Sequence, residues 1–416
     1  MKNWLSRFYS STLFFPFIVL LLYILICIFT PITGFTADID CWIRWSAQIY
    51  QFGLPKAYLS GAVYMPFLLY ILYLYDFFQS STAAISENII FLKYITLIFD
   101  FAGALAVVSF VKDKKKQTLF FSFIVLNIAY LYNTVIWGMV DAIHSTLIVL
   151  SLLFIYKKNM IASTVFFMLA VCMKFQAIIY APVFVILWLS HLYRSRNYKP
   201  LVQSLVVNII LIVLMFAPFI YGTGLSFTYN HLSDAILSHS NKICVSAYNF
   251  WELIMDGPLW DLTDLRSIWG IHYKTMGTIL FILFLIPSLI PLLRLNLYNT
   301  NEENSKLAIS KIFLSLALVT LVFFYFKTGM HERYAHSSII FLAGYACLTL
   351  DFIPYILCSV AYLYQLNNVM IDSSFVPLFR FYLNKEFVSV LFLITIIYCM
   401  FRIYYPVKKR SLPEHQ

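Results

Sequence analysis

The chain has 416 residues, 62% of them hydrophobic and only 12% charged, with a formal net charge of +10. Apolar runs long enough to cross a bilayer recur along its whole length, and the mean hydropathy is +0.82. That composition excludes a soluble globular domain and predicts an all-α polytopic membrane protein. The basic residues fall in short loops between apolar runs, so the positive charge reads as a topology signal and not as a nucleic-acid surface.

In chain order, the first apolar run, Thr12–Pro31, has a basic flank in Lys2 and Arg7 and no small-residue cleavage signal. It reads as a retained anchor that enters from inside and exits at Gly34. The polar stretch Thr36–Trp45 follows, with Asp38, Asp40 and Arg44 set among Trp42 and Trp45. Acids beside lipid are costly and usually functional. Either acid can serve as a general base toward an acceptor hydroxyl, or Thr36 or Asp38 can simply cap a helix. Trp42, Trp45 and Tyr50 stand at helical spacing and read more readily as interface anchors than as substrate stackers.

The next apolar run, Tyr64–Phe78, is short. If it spanned, the densest basic cluster, Lys112–Lys116, would fall outside, against the positive-inside rule. Read as re-entrant or interfacial, it brings Lys112–Lys116, Lys157 and Lys158, Arg194–Lys199, Arg294 with Lys306, and Lys408–Arg410 all to the cytoplasmic side. Twelve spans with both ends inside result: 12–31, 89–111, 118–136, 140–156, 160–176, 177–193, 201–221, 275–293, 308–326, 336–351, 354–370 and 386–405. The outer face then holds a first loop region, 34–88, a second long loop, 222–274, short turns at Asn133–Asp141, Lys174–Gln176 and Lys327–Tyr334, and the stretch Asp372–Lys385. There is one integral-membrane domain, with no soluble domain and no evident internal repeat.

The remaining polar clusters all lie on that outer face. Asp141, at a helix start, either complements the macrodipole or orients a neighbour or a substrate. Lys174 either snorkels or offers a point charge to a lipid phosphate. Met330-His-Glu-Arg-Tyr334 is hard to explain by packing alone. Arg333 can grip phosphate bidentately, His331 can hydrogen-bond or protonate a departing phosphate, and Glu332 can hold either; the plainer alternative is a structural ion pair. The sequence around His331 and His336 lacks metal-ligand spacing, although Asp38, Asp40 and Asp141 would offer a divalent cation three carboxylates if they converged. His231, His239 and His272 read as loop residues. No CxxC pair occurs among the seven cysteines, which argues against a zinc site or a disulfide framework. No phosphate-binding glycine loop or dinucleotide fingerprint appears, so the energy for chemistry outside must arrive stored in a substrate.

Taken together, these residues resemble the GT-C superfamily of glycosyltransferases, and within it the bacterial relatives of the enzyme that adds the second mannose of the GPI anchor. That group reads Asp-x3-Trp/Phe-x2-Trp-Ala in its first outer loop, matched here by Asp38, Trp42, Trp45 and Ser46-Ala47, with Gly53 and Tyr58 in step. A Tyr-Pro-Pro appears as Tyr64-Met-Pro66, Trp-Gly-Gln-x-Asp as Trp137-Gly-Met-Val-Asp141, and Lys-Pro-Gln as Lys174-Phe-Gln176. Asn249-Phe-Trp251 matches an Asn-x-Trp, and His331-Glu-Arg-Tyr334 is intact. Val63, Met139 and Phe175 depart from the family pattern.

The resemblance implies a GT-C fold with membrane-parallel helices in the first outer loop, and inverting transfer of a sugar, most simply mannose, from a polyprenyl phosphate without a bound cofactor. It prefers Asp38 over Asp40 as base and gives the leaving phosphate to Arg333, His331 and Lys174. Substrate contacts would fall to Trp42, Arg44, Trp45, Tyr64, Asn133, Trp137, Asp141, Gln176, Asn249, Trp251, Glu332 and Tyr334. The acceptor would be a lipid-linked glycan, a glycolipid or a protein, at the outer face of a bacterial inner membrane. The rival readings are a flippase or transporter of polyprenyl-linked saccharides and a polymerase of them. A transporter needs polar groups reachable from both sides in turn, whereas the inner face here offers only basic loops. A polymerase relies on outer-loop arginines, and Arg266 is the only one in the second long loop.

Overall fold

A computed structural model describes residues 13–237, 241–255, 257–298, 301–373 and 377–406. Lys2, Arg7, Thr12, His239 and Lys408–Arg410 lie outside the described residues. The chain is an all-helical membrane protein. Among the described residues the only strands are two short pairs: Cys244–Val245 runs parallel to Met330–His331, and Ser267–Ile268 antiparallel to Ile271–His272.

Among the described residues six helices are long and apolar enough to cross a bilayer: Ile90–Val108, Phe175–Ser195, Lys199–Thr223, Tyr273–Arg294, Glu302–Phe326 and Lys385–Tyr404. A seventh such unit is broken, Lys114–Val125 and Ile128–Trp137 meeting at 54°. The break follows from Asn127, whose side-chain oxygen accepts from the backbone N–H groups of Ala129 and Tyr130 and so caps a new helix. Shorter apolar helices occupy Phe14–Phe29, Asp141–Tyr156 and Met160–Met173. His336–Thr349 and Ile353–Asp372 are separated where Leu350 takes a left-handed conformation (φ 63°). Beside that break Asp351 is held by Arg402 at 2.9 Å.

Burial sorts these helices into a core and a rim. Glu302–Phe326 is 83% buried over its apolar window, whereas Lys199–Thr223 is only 6% buried. Gly344 lies so close to the Phe313 ring that a Cβ there would meet it at 2.6 Å, the small-residue packing that lets helices approach in lipid. The exposed Val, Leu and Ile rows of Lys199–Thr223 form an apolar surface too large for water to face.

Between Phe14–Phe29 and Ile90–Val108 the chain forms helices Thr36–Phe52 and Pro66–Asp76, joined through a 3-10 turn at Leu54–Ser60. Pro66–Asp76 has 11 residues, which rise only about 16 Å, half of a hydrocarbon core. The segment packs on Lys199–Thr223: the rings of Tyr58 and Phe219 are 4.9 Å apart. Gly222 admits the Pro55 carbonyl, which a Cβ would meet at 2.2 Å. Trp42 and Trp45 are not interface anchors. They are 1% and 2% exposed and, with Ile39, Ser46 and Ile49, form the buried face of an amphipathic helix. Of that trio only Tyr50 is exposed.

Candidate functional site

The site begins with a backbone junction. The helix ending at Trp137 closes in a π turn, Tyr132–Trp137, and stops at Gly138 with φ 89°; such turns interrupt the regular ladder and recur at functional sites. The Trp137 carbonyl accepts from the Phe35 N–H at 2.9 Å, the two rings stack at 4.5 Å, and Trp42 Nε1 donates to the Gly138 carbonyl at 3.0 Å. Lys93 locks the junction: its ammonium donates to the carbonyl oxygens of Pro31, Thr33 and Val135 at 2.9, 2.6 and 2.8 Å. Replacing it by Met removes the donor from three carbonyls, at a cost on the order of 1–3 kcal/mol for each one left unsatisfied. Lys93→Met is therefore expected to show a clearly lower melting temperature in detergent, and an unchanged one would refute this locking role.

Because the junction fixes where the Thr36–Phe52 helix starts, it also decides which acid faces inward. Residues two apart on a helix point to nearly opposite sides. Asp38, Cys41, Trp42 and Trp45 line a cavity of about 410 Å³, while Asp40 and Arg44 are exposed on the far face. That placement corrects the candidacy of Asp40 as base and of Arg44 as a substrate contact. Asp38 is not a helix cap either: Phe35 holds the cap position without a side-chain bond, and Asp38 Oδ2 accepts from Trp137 Nε1 at 2.8 Å. Its Oδ1 lies 3.7 Å from the Arg333 guanidinium.

Arg333 also holds Glu332, at 2.7 Å. Burial pushes the Glu332 carboxyl above its usual range, against the pull of Arg333. Burial likewise opposes the Arg333 charge, but Asp38 and Glu332 together outweigh it and hold the guanidinium protonated. The Glu332 carbonyl accepts from Gln365, whose other amide atom takes the Tyr248 N–H. His331 lies beside the cavity, not in its lining, with Nδ1 3.8 Å from Glu332 and its ring 5.2 Å from Tyr334.

A second ion pair lies next to the first. Lys174, where Met160–Met173 ends, reaches Asp141, in the first turn of Asp141–Tyr156, at 2.6 Å. Asn133 donates to the other Asp141 oxygen at 3.3 Å and to Tyr362. The Lys174 ammonium also lies 4.5 Å from the centre of the Tyr334 ring and 5.9 Å from that of Tyr64. Lys174 is thus paired, not snorkelling. Gln176, Tyr64 and Tyr334 line the same cavity, and Gln176 Oε1 is buried with no hydrogen-bond partner among the described residues.

Asn249 and Trp251 do not line this cavity. Asn249 accepts from the Trp251 N–H, capping a short helix, and donates to the Phe324 carbonyl; Trp251 Nε1 donates to the Phe326 carbonyl. Their role is to pin the second long loop to the end of Glu302–Phe326, which corrects their reading as substrate contacts. His231 is likewise a helical residue, with Nε2 2.7 Å from the Ala62 carbonyl oxygen. Among the described residues no three His, Cys, Asp or Glu side chains gather as a metal site, so Asp38, Asp40 and Asp141 do not converge.

Sequence reasoning missed Lys274, Lys327 and Asp264, which line the same cavity. Lys274 and Lys327 stand at the ends of two successive long helices opposite the ends that carry Arg294 and Lys306. On the topology expected from the sequence they run against the positive-inside rule, and that contrast was the available signal. No family model matches this chain, and no curated protein is significantly similar to it in sequence.

Proposed function

We propose that the chain is an inverting glycosyltransferase of the GT-C type, moving a sugar, mannose in the simplest case, from a polyprenyl phosphate to an acceptor at the outer membrane face. The single observation that supports it best is Asp38: a carboxylate fixed by Trp137, beside Arg333, opening on a cavity within a protein whose rim is covered by apolar helices. In this reading Asp38 takes the proton of an acceptor hydroxyl as its oxygen bonds to the anomeric carbon. The bond from that carbon to the phosphate oxygen breaks, and its electron pair leaves on the phosphate. Attack from the face opposite the leaving group inverts the centre. Trp42, Trp45, Tyr64 and Tyr334 supply aromatic walls for sugar rings, with Gln176 as a hydrogen-bonding partner.

The twelve crossings of this reading are the six long helices, the bent pair, Phe14–Phe29, Asp141–Tyr156, Met160–Met173, His336–Thr349 and Ile353–Asp372. The site then faces the exterior, the periplasm in a bacterial inner membrane, with Thr36–Phe52 and Pro66–Asp76 lying at the interface. The test uses purified protein in detergent, radiolabelled polyprenyl-phosphate mannose and a membrane lipid extract as acceptor. Label passing into a new product supports the transferase. Absence of binding to every polyprenyl-phosphate sugar would overturn it in favour of a transporter.

A further inference from the structure

The cations first expected to receive the phosphate are already spoken for. Arg333 lies 2.7 Å from Glu332 and 3.7 Å from Asp38, and Lys174 lies 2.6 Å from Asp141. These two cations face three carboxylates, so an incoming phosphate would meet no surplus of positive charge there. Elsewhere in the same lining the balance reverses. Lys274 and Lys327 share a single carboxylate, Asp264, whose Oδ2 already accepts from Thr328 at 2.8 Å. Among the described residues neither lysine forms an ion pair; Lys327 donates to Thr278 at 2.7 Å.

We propose that Lys274 and Lys327 form the phosphate-binding end of the cavity, receiving the phosphate of the polyprenyl carrier. The proposal rests on the transferase reading above and deepens it. Three further observations support it. Lys274 is the second residue of the Tyr273–Leu289 helix, where the helix dipole disfavours a cation unless an anion comes between. Burial and the neighbouring Lys274 charge both push the Lys327 ammonium below its usual range, with Asp264 opposing; an anion would relieve that repulsion. Finally, Tyr273–Arg294 is only 17% buried over its apolar window, which leaves beside the lysines an apolar surface along which a polyprenyl chain can lie. Phe323 and Ile236 continue that surface into the cavity.

The placement has a catalytic consequence. The donor is a phosphodiester with one negative charge, and the departing monoester gains more as the sugar leaves. A two-lysine site therefore holds the transition state better than the ground state.

The experiment measures binding of a sugar-free polyprenyl phosphate to the full-length protein in detergent, read by tryptophan fluorescence. Lys274→Gln is the primary variant, because Lys274 is exposed and its removal disturbs no packing; Lys274→Gln/Lys327→Gln follows, with Lys327→Arg as the charge-keeping control. The expected result is at least tenfold weaker binding for the double variant, a smaller loss for Lys274→Gln, and near-normal binding for Lys327→Arg and Asp38→Asn. Polyprenol, lacking the phosphate, is expected to bind all of them alike. Wild-type-like binding by the double variant would overturn the phosphate assignment while leaving the transferase reading intact. Displacement of the probe as readily by phosphatidylglycerol or inorganic phosphate would assign the lysines to bulk headgroups or free anion and also overturn it. A wild-type protein that binds no polyprenyl phosphate would overturn both readings.

Discussion

On the proposed transferase reading, Asp38→Asn is expected to lower sugar transfer by about 10²–10⁴-fold, the contribution typical of a positioned general base, while leaving the fold and donor binding close to wild type. The amide oxygen of Asn can still accept from Trp137 Nε1, the bond that now holds Asp38 Oδ2 at 2.8 Å. Arg333 keeps Glu332 at 2.7 Å, so the guanidinium is not stranded when the nearby charge disappears. What Asn cannot do is take a proton from the acceptor hydroxyl. Asp38→Glu separates geometry from chemistry: it keeps the carboxylate but displaces it by one methylene from the position that Trp137 now holds. Asp40→Asn serves as the internal control, since Asp40 is exposed on the opposite side of the same helix, and its turnover should match wild type. The checks are initial rates with radiolabelled donor, melting temperature in detergent and donor affinity. Unchanged turnover in Asp38→Asn would remove Asp38 from the chemistry. A loss accompanied by a collapsed melting temperature would make it a structural residue.

The helical frame was legible because crossing lipid demands contiguous apolar residues, a signal carried by each run on its own. The choice between Asp38 and Asp40 was not, by residue type alone. It depends on the helix starting at Thr36, and that start is set by the Phe35 N–H bonding to the carbonyl of Trp137, far away in sequence. Trp42 and Trp45 show the same limit. Helical spacing identifies their face, but protein core and lipid are equally apolar, so the pattern cannot say which of them the face meets. Asn249-Phe-Trp251 looked like a binding motif, yet its partners are the carbonyls of Phe324 and Phe326, and backbone acceptors leave no trace in the sequence. Lys174 stayed open between snorkelling and holding a lipid phosphate because its partner, Asp141, lies on another helix. The His-Glu-Arg-Tyr run was legible as a cluster. That its arginine is balanced by carboxylates from two directions emerged only when the Asp38 helix was placed beside it.

The Lys174–Asp141 pair is expected to be strongly asymmetric when broken. Asp141 is 1% exposed and Lys174 12%. Lys174→Met leaves a buried carboxylate with Asn133 as its nearest remaining donor, and stranding one partner of a buried pair typically costs about 3–5 kcal/mol. Asp141→Asn is expected to cost less, because the freed ammonium lines the cavity, where water can reach it, and still faces the Tyr334 ring at 4.5 Å. The double variant Asp141→Asn/Lys174→Met removes both charges and should recover most of the stability lost in Lys174→Met, since a neutral amide beside an apolar chain leaves no unpaired ion. A double-mutant cycle on melting temperature or denaturant midpoint measures this coupling. Losses that simply add would mean the two charges do not depend on each other and would refute the pairing. Activity provides the second axis. The pair ties the segment carrying Trp137, and through it Asp38, to the aromatic wall formed by Tyr64 and Tyr334. A double variant that folds well yet transfers sugar poorly would show that the ion pair is kept for alignment, at a stability no better than an uncharged pair would give.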